Sequence, residues 1–322
     1  MKRLGCFGLF TGLALIAALF FVMQSWGGAG SLERNVNVVV PEGATLTRAA
    51  EAMEQAGVIP SARRFTLYAR FLGSSDPIRA GEYPVPAGIS QSDVLKLMQG
   101  GRTVQRFVAV PEGWPSVLVH DALMKAPQLD GDVEMPAEGS VLPDSYSYQR
   151  GETREAVLAR MQTAMADYLA AAWAKRKADI AVSTPEEALI LASIVEKETG
   201  KEEERRTVAA VYSNRLRIGM RLQADPTIIY PLTKGRPLGR RILRSEVRAV
   251  NDYNTYAMAG LPKGPIANPG RASIDAVLDP AETSALYFVA DGTGGHVFAD
   301  TLEQHNANVA KWYALRRARG EM

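Results

Sequence analysis

Cysteine is almost missing from this chain: Cys6 is the single one in 322 residues, so no intramolecular disulfide framework can form. Histidine is scarce as well. His120, His296 and His305 lie far apart, with no His-Glu-x-x-His and no paired-cysteine spacing, so no metal site is expected. An excess of one charge is also lacking, since 37 Lys and Arg face 35 Asp and Glu. That balance argues against a nucleic-acid partner held by a general positive field. Asp291-Gly-Thr-Gly-Gly295 lacks the lysine and following helix of a phosphate loop. No Ser/His/Asp or Cys/His arrangement stands out, which makes peptide-bond hydrolysis the weakest enzymatic reading.

What the chain does have begins at its N-terminus. Lys2 and Arg3 precede an uncharged run from Leu4 to Met23, about twenty residues and so matched to a bilayer core. The positive flank predicts a single-pass anchor in the cytoplasmic membrane, N-terminus inside and everything after Gly27 outside. Trp26 is expected at the far interface. A cleaved signal peptide competes, and the small residues Gly27 to Gly30 resemble a cleavage site. A lipoprotein signal needs an apolar stretch before its cysteine, and Cys6 has none. With a retained anchor, Cys6 is insulated from an oxidising exterior.

Three short repeats follow: Val40-Pro-Glu-Gly43, Val85-Pro-Ala-Gly88 and Val110-Pro-Glu-Gly113. Each follows a strand-like segment and precedes a helical one, at Thr45 to Gln55, Ser90 to Met98 and Ser116 to Met124. The pattern reads as strand, Pro-Gly turn, capped helix. Small β-α units of this kind suit a module that grips extended polymers; a turn signature reused three times is the plainer reading. Glu134 to Tyr148 reads as an ordered loop, and Thr153 to Ala178 as a scaffold helix with an apolar stripe.

The segment from Ser183 to Gly200 predicts a helix with clean ends. Thr184 and Glu187 form a capping-box pair, Pro185 suits the first helical position, and Gly200 suits the stop. Ala188, Ile190, Leu191, Ile194 and Val195 make one apolar arc, and Glu198 falls near its middle. Ser193, Glu196 and Lys197 project elsewhere. A carboxylate in apolar surroundings has its charged form disfavoured, which is the property of a general acid. The structural alternative has Glu198 at a fraying end, in water or paired with Arg205 or Arg206.

A second helix is expected over Glu202 to Arg217, carrying Asn214. In Met220 to Tyr230 polar and apolar residues alternate, which puts Gln223 and Asp225 on one side of an extended segment, joined by Thr227 if Pro226 permits. Asp225 equally suits a helix N-cap. Asn251-Asp-Tyr-Asn-Thr-Tyr256 is dense in amides and phenols. Gly260 to Gly270 holds three prolines and three glycines. Directional amides and tyrosine rings suit a sugar, and a solvated loop is the competing view. Ala285 to Phe298 reads as a hairpin and Thr301 to Arg317 as a helix.

Taken in order, Ala192-Ser-Ile-Val-Glu-Lys-Glu-Thr199, Asn214-Arg-Leu216, Leu222-Gln-Ala-Asp-Pro-Thr227 and Tyr253-Asn-Thr-Tyr256 form a set with Gly260-Leu-Pro262, Pro265-Ile-Ala-Asn-Pro-Gly270 and Tyr287 to His296. This set resembles the MltG (YceG-like) endolytic murein transglycosylases of bacteria, over nearly the whole chain. The resemblance implies cleavage of peptidoglycan glycan strands between N-acetylmuramic acid and N-acetylglucosamine, leaving 1,6-anhydro ends and terminating or trimming nascent strands. It implies one catalytic glutamate, the second of the Glu-Lys-Glu triplet, which is Glu198. Ala224 and Asn251-Asp252 depart from the family's common pattern and bear on local substrate contacts.

The expected fold is mixed α+β: an anchor helix (1–30), a small LysM-like β/α module (31–133) and a larger helix-rich catalytic domain (134–322). Expected substrate contacts are Asn214, Gln223, Asp225, Tyr253, Asn254 and Tyr256. No cofactor is expected. Glycan strands, the cytoplasmic membrane and peptidoglycan synthases are the expected partners. The rivals are a lysozyme-like hydrolase using Glu198, Asp225 and a water, and a non-catalytic wall-binding or assembly protein.

Overall fold

The computed structural model describes the backbone of residues 2–101 and 103–321, with side chains from residue 12 onward. Two compact units form: Met1–Arg106 with Tyr148–Arg150, and Phe107–Ser147 with Gly151–Met322.

The first unit begins with α1 (Lys2–Gly27), followed by β1 (Val36–Val40), α2 (Leu46–Gln55), α3 (Ala62–Leu72), β2 (Gly81–Val85) and α4 (Gln91–Gly100). The first two repeats build its sheet, with β1 and β2 antiparallel and Val36 opposite Val85. The repeat is a turn requirement: Gly43 and Gly88 both stand at φ +69, a left-handed backbone that side chains resist. Thr45 and Ser90 then accept from the backbone N–H of Arg48 and Asp93, satisfying donors a helix start leaves orphaned. Val38, Val40, Met53, Phe65, Tyr83, Leu95 and Met98 close the core.

Trp26 is not at an interface; it is buried in this core, its ring 5.6 Å from that of Phe65. Among the described residues no helix is long and apolar enough to cross a membrane. The side chains of Lys2, Arg3 and Cys6, on which part of the anchor reading falls, lie outside the described residues.

In the second unit β3 (Arg106–Ala109) forms a two-stranded sheet with β4 (Ser145–Tyr148), and α5 (Ser116–Lys125) packs on α6 (Arg154–Ala174). Residues 107–133 are grouped with the helical unit, and the first unit comprises Met1–Arg106 with Tyr148–Arg150. The third repeat keeps its turn, with Gly113 at φ +71. Its helix differs, because Pro115 at the N-cap has no side chain to offer. The Glu138 carboxylate does the capping instead, accepting from Ser116 N at 2.8 Å.

The rest of the unit runs α7 (Pro185–Glu198), α8 (Glu202–Arg217), α9 (Pro226–Thr233), α10 (Arg244–Arg248), α11 (Arg271–Leu278), β5 (Tyr287–Ala290), β6 (His296–Ala299) and α12 (Leu302–Ala318). Helices α7, α8 and α11 pack together through Leu191, Ile194, Val208, Tyr212, Ile274 and Val277. Each fully buried aliphatic chain contributes about 2 kcal/mol. Thr184 caps α7 as expected, while Glu187 reaches back to Ser183 N, one residue earlier than a capping box. The stop is not made by Gly200. Thr199 turns extended (φ −138, ψ 132) and ends the helix.

A buried ion pair steadies the first unit. Glu82, 3% exposed, accepts from Arg106 at 2.7 Å and from Asn37 at 2.8 Å. The Arg106 bond holds the Glu82 carboxyl below its ordinary range. Arg106→Met strands that carboxylate and is expected to cost about 3 kcal/mol. Denaturant unfolding checks it, and a loss under about 0.5 kcal/mol contradicts the assignment.

Candidate active site

Helix α7 sends three polar side chains in three directions. Ser193 is fully buried; its hydroxyl donates to Ile190 O at 2.7 Å and accepts from Ile266 N at 3.0 Å. Glu196 Oε2 accepts from Gly270 N at 2.9 Å and Ser273 Oγ at 2.7 Å, placing a negative charge at the start of α11. These two contacts anchor the Pro/Gly-rich loop 260–270 to α7. Asn268, also fully buried, completes the anchorage by accepting from Val141 N and donating to Trp114 O.

Glu198 stands apart from these structural roles. It occupies the last position of α7, and its Oε1 is buried with no hydrogen-bond partner among the described residues. Neither arginine of the structural alternative engages it. Arg206 donates to Asp279 at 2.7 Å, and Arg205 Nε is itself buried without a partner among those residues.

The surroundings of Glu198 come from α8 and from the two segments that follow. Burial dominates and pushes its carboxyl up to about 7; the Tyr212 hydroxyl pulls it back, the Asp225 carboxylate pushes it further, and the Arg215 guanidinium pulls it back. Tyr212 is 1% exposed and packs edge-on against Phe288 at 5.9 Å. The sequence marks Tyr212 only as one apolar position of α8 and Arg215 as one of several arginines. Both lie one turn apart on the face of α8 turned to α7, and helical spacing from Val208 is the signal that finds them.

Residues 221–225 alternate exposed and buried, with Gln223 and Asp225 outward and Leu222 and Ala224 inward. The segment is not the extended one that a shared face requires, since Asp225 has helical backbone angles (φ −55, ψ −39). Thr227 does not join Gln223 and Asp225, because Pro226 starts α9 and Thr227 turns inward to meet Thr255 Oγ1 at 2.9 Å. Asp225 occupies the N-cap position without a capping bond; it accepts from the Tyr256 hydroxyl at 2.7 Å instead. Gln223 N donates to Thr255 O at 3.2 Å, and its backbone is left-handed at φ +52. The threonine pair thus joins the 221–225 segment to the Tyr-Asn-Thr-Tyr loop, and the Tyr256–Asp225 bond ties the two a second time.

Two expected sugar contacts are engaged elsewhere. Asn254 is fully buried, its amide donating to the carbonyls of Glu246, Val247 and Ala249 while its oxygen accepts from Tyr256 N. It shapes the loop and offers no free group. Asn214 donates to Thr283 O at 2.8 Å and Ala285 O at 3.1 Å, fastening the approach to β5. Tyr253 is partly buried, its ring 4.8 Å from that of Tyr230. Among the described residues no group of three or more His, Cys, Asp or Glu side chains could hold a metal ion.

A buried carboxyl beside a tyrosine, one arginine and a second carboxylate is the arrangement of a candidate acid–base site in an α+β unit. The chain belongs to the YceG-like family, whose sequence profile it matches over residues 38–311. It is 29% identical to an endolytic murein transglycosylase of Streptococcus pneumoniae serotype 2 (strain D39 / NCTC 7466), over 87% of this chain and 58% of the relative. This chain thus spans about three fifths of that relative's length. It is 27% identical to an endolytic murein transglycosylase of Bacillus subtilis (strain 168), over 87% of this chain and 86% of the relative. A crystal structure of a YceG-like protein from Listeria monocytogenes superposes with a TM-score of 0.53 at 27% identity, covering 85% of this chain and 99% of that one.

The raised Glu198 carboxyl carries a stability signature. Its folded value, about 7, lies above the ordinary 4.5. The folded state therefore binds the proton more tightly, and the contribution is complete at low pH and lost as pH rises from about 4.5 through about 7. Glu198→Gln is expected to match wild type near about pH 4 and to exceed it near about pH 8.5 by up to about 3 kcal/mol. Denaturant titrations at both pH values check this, and equal differences at both contradict it.

Proposed function

We propose that this protein cleaves peptidoglycan glycan strands internally, between N-acetylmuramic acid and N-acetylglucosamine, without consuming water and leaving 1,6-anhydro-N-acetylmuramic acid ends. The observation that carries this reading is Glu198: one carboxyl, removed from water and poised near neutrality, in a chain of the family to which the named relatives belong. Protonated Glu198 donates its proton to the glycosidic oxygen as the bond to C1 of the muramic acid breaks. The resulting carboxylate takes the proton of the same sugar's C6 hydroxyl, whose oxygen attacks C1 and closes the anhydro ring. Glu198 ends protonated, as it began. Because the nucleophile belongs to the substrate, one carboxyl serves as both acid and base, and the second carboxylate of a hydrolase is not required.

Gln223, Asp225 and Tyr256 are the proposed sugar contacts, supported by the exposure of Gln223 and Asp225, by the Tyr256–Asp225 hydrogen bond and by the effect of Asp225 on Glu198. Tyr253 offers a ring face. Asn254 and Asn214 act by holding the loop and the β5 approach.

The remaining features are part of the same proposal. The N-terminal helix serves as a retained membrane anchor, supported by Lys2 and Arg3 before an uncharged run and by the exposure of Leu15, Ile16, Phe20 and Phe21. That arrangement puts everything after Gly27 outside the cytoplasmic membrane. The strand-turn-helix repeats support a LysM-like, polymer-gripping role for the first unit. Peptidoglycan synthases are the proposed protein partners, since an anchored endolytic enzyme acts where strands are made.

Mass spectrometry of the ends released from purified peptidoglycan tests the reaction, with wild type beside Glu198→Gln. Anhydro ends from wild type and a drop of at least about a thousandfold in the variant are expected. Reducing ends identify a hydrolase, for which Asp225 is the available second carboxylate. An intact substrate with folded wild type identifies a binding or assembly protein.

A further inference from the structure

The site holds one cation that the proposed proton transfers do not use. Arg215 lies on α8 and is 7% exposed. Its Nε donates to Leu286 O at 2.7 Å, and its Nη1 donates to Leu222 O. The guanidinium carbon stands 5.8 Å from the Tyr212 ring centre and 5.6 Å from that of Tyr287. Both hydrogen bonds end on neutral carbonyls, so they orient the group without neutralising it. A buried cation in that position is costly unless an anion faces it. The carboxyl within its electrostatic reach is Glu198.

The two carbonyls belong to different walls. Leu222 opens the segment that carries Gln223 and Asp225 outward, and Leu286 leads into β5, where Tyr287 and Phe288 follow. A planar fork of donors spans both acceptors in a fixed geometry, which a lysine ammonium does not reproduce. We infer that Arg215 is the positioning residue of this site: its fork fixes the two segments framing Glu198, and its charge steadies the Glu198 carboxylate that forms after proton donation. This rests on the glycan-cleavage reading for its catalytic meaning.

Other groups face the pair. Tyr212 on α8 and Asp225 before α9 act on Glu198, and Asp225 and Glu198 act on Tyr256 from the 251–256 loop. Tyr287 on β5, Tyr256 and Tyr212 act on Arg215. Tyr212 and Tyr256 are pushed upward and stay neutral near pH 7, chiefly by burial. His305 on α12 is held below its ordinary value, first by burial and then by Arg215. Of these, Glu198 is the group whose charge Arg215 is placed to favour during turnover.

Removing the cation raises the Glu198 carboxyl further and makes the carboxylate left by proton donation costlier to form. Arg215→Met is expected to lower kcat on peptidoglycan at least about tenfold and to move the alkaline limb of the pH–rate profile upward, with KM little changed. Arg215→Lys is expected to keep the limb in place while losing kcat, because the charge remains and the fork is gone. A measurement without turnover separates this inference from the reaction itself. The melting-temperature penalty of Arg215→Met is expected to be larger near about pH 9 than near about pH 5, and to lose that pH dependence in a Glu198→Gln background. An unmoved alkaline limb in the folded variant, or a penalty independent of pH in both backgrounds, overturns the role. Should wild type yield no anhydro ends, the cleavage reading fails, and the melting comparison still decides whether Arg215 steadies the Glu198 charge.

Discussion

Moving a carboxyl group out of water disfavours its charged form, and at Glu198 that penalty sets the character of the whole second unit. Burial raises the group to about 7; Tyr212 and Arg215 oppose the rise, and Asp225 adds to it. The balance matters more than any single neighbour. Burial alone would leave a carboxyl too weakly acidic to give up its proton, while a strong ion pair would leave a carboxylate with no proton to give. The arrangement around Glu198 avoids both, because its cation bonds to carbonyls and its nearest donor is a phenol.

The rest of the unit fixes the end of α7 relative to its surroundings. Glu196 and Ser193 hold loop 260–270 against the same helix that carries Glu198. Asn254 and the Thr227–Thr255 pair hold the segments bearing Asp225 and Tyr256. Most of the polar residues in the family-like motifs therefore satisfy backbone groups that an irregular chain would leave unpaired. Few of them keep a polar atom free for other work, Glu198 Oε1 among them.

Much of this is legible in the sequence, for reasons that differ by element. Strand-turn-helix repeats are visible because Gly43, Gly88 and Gly113 answer a local backbone demand. Helix α8 runs over the expected Glu202–Arg217, and the β5–β6 hairpin forms around Asp291 to Gly295. Glu198 stands out because a helical arc shows a charge where an apolar residue belongs. The carbonyl bonds of Asn214 and Asn254 are invisible in the sequence, since an amide so engaged has the same composition as one reaching for sugar. Tyr212 and Arg215 escape notice because a tyrosine on an apolar stripe and an arginine on a charged helix look ordinary until the neighbouring segment arrives. Trp26 goes into a core for the same reason: its partners Phe65 and Tyr68 lie some forty residues away in sequence.

Glu198 owes its raised carboxyl to the buried place where α7 ends. Titrating its carboxyl in the wild-type chain by carbon-13 NMR, with Glu198→Gln to assign the signal, tests this most directly. A midpoint near 7 is the predicted result. A midpoint near the ordinary 4.5 would contradict the account, because the carboxyl would then be solvated and charged, with no proton to donate.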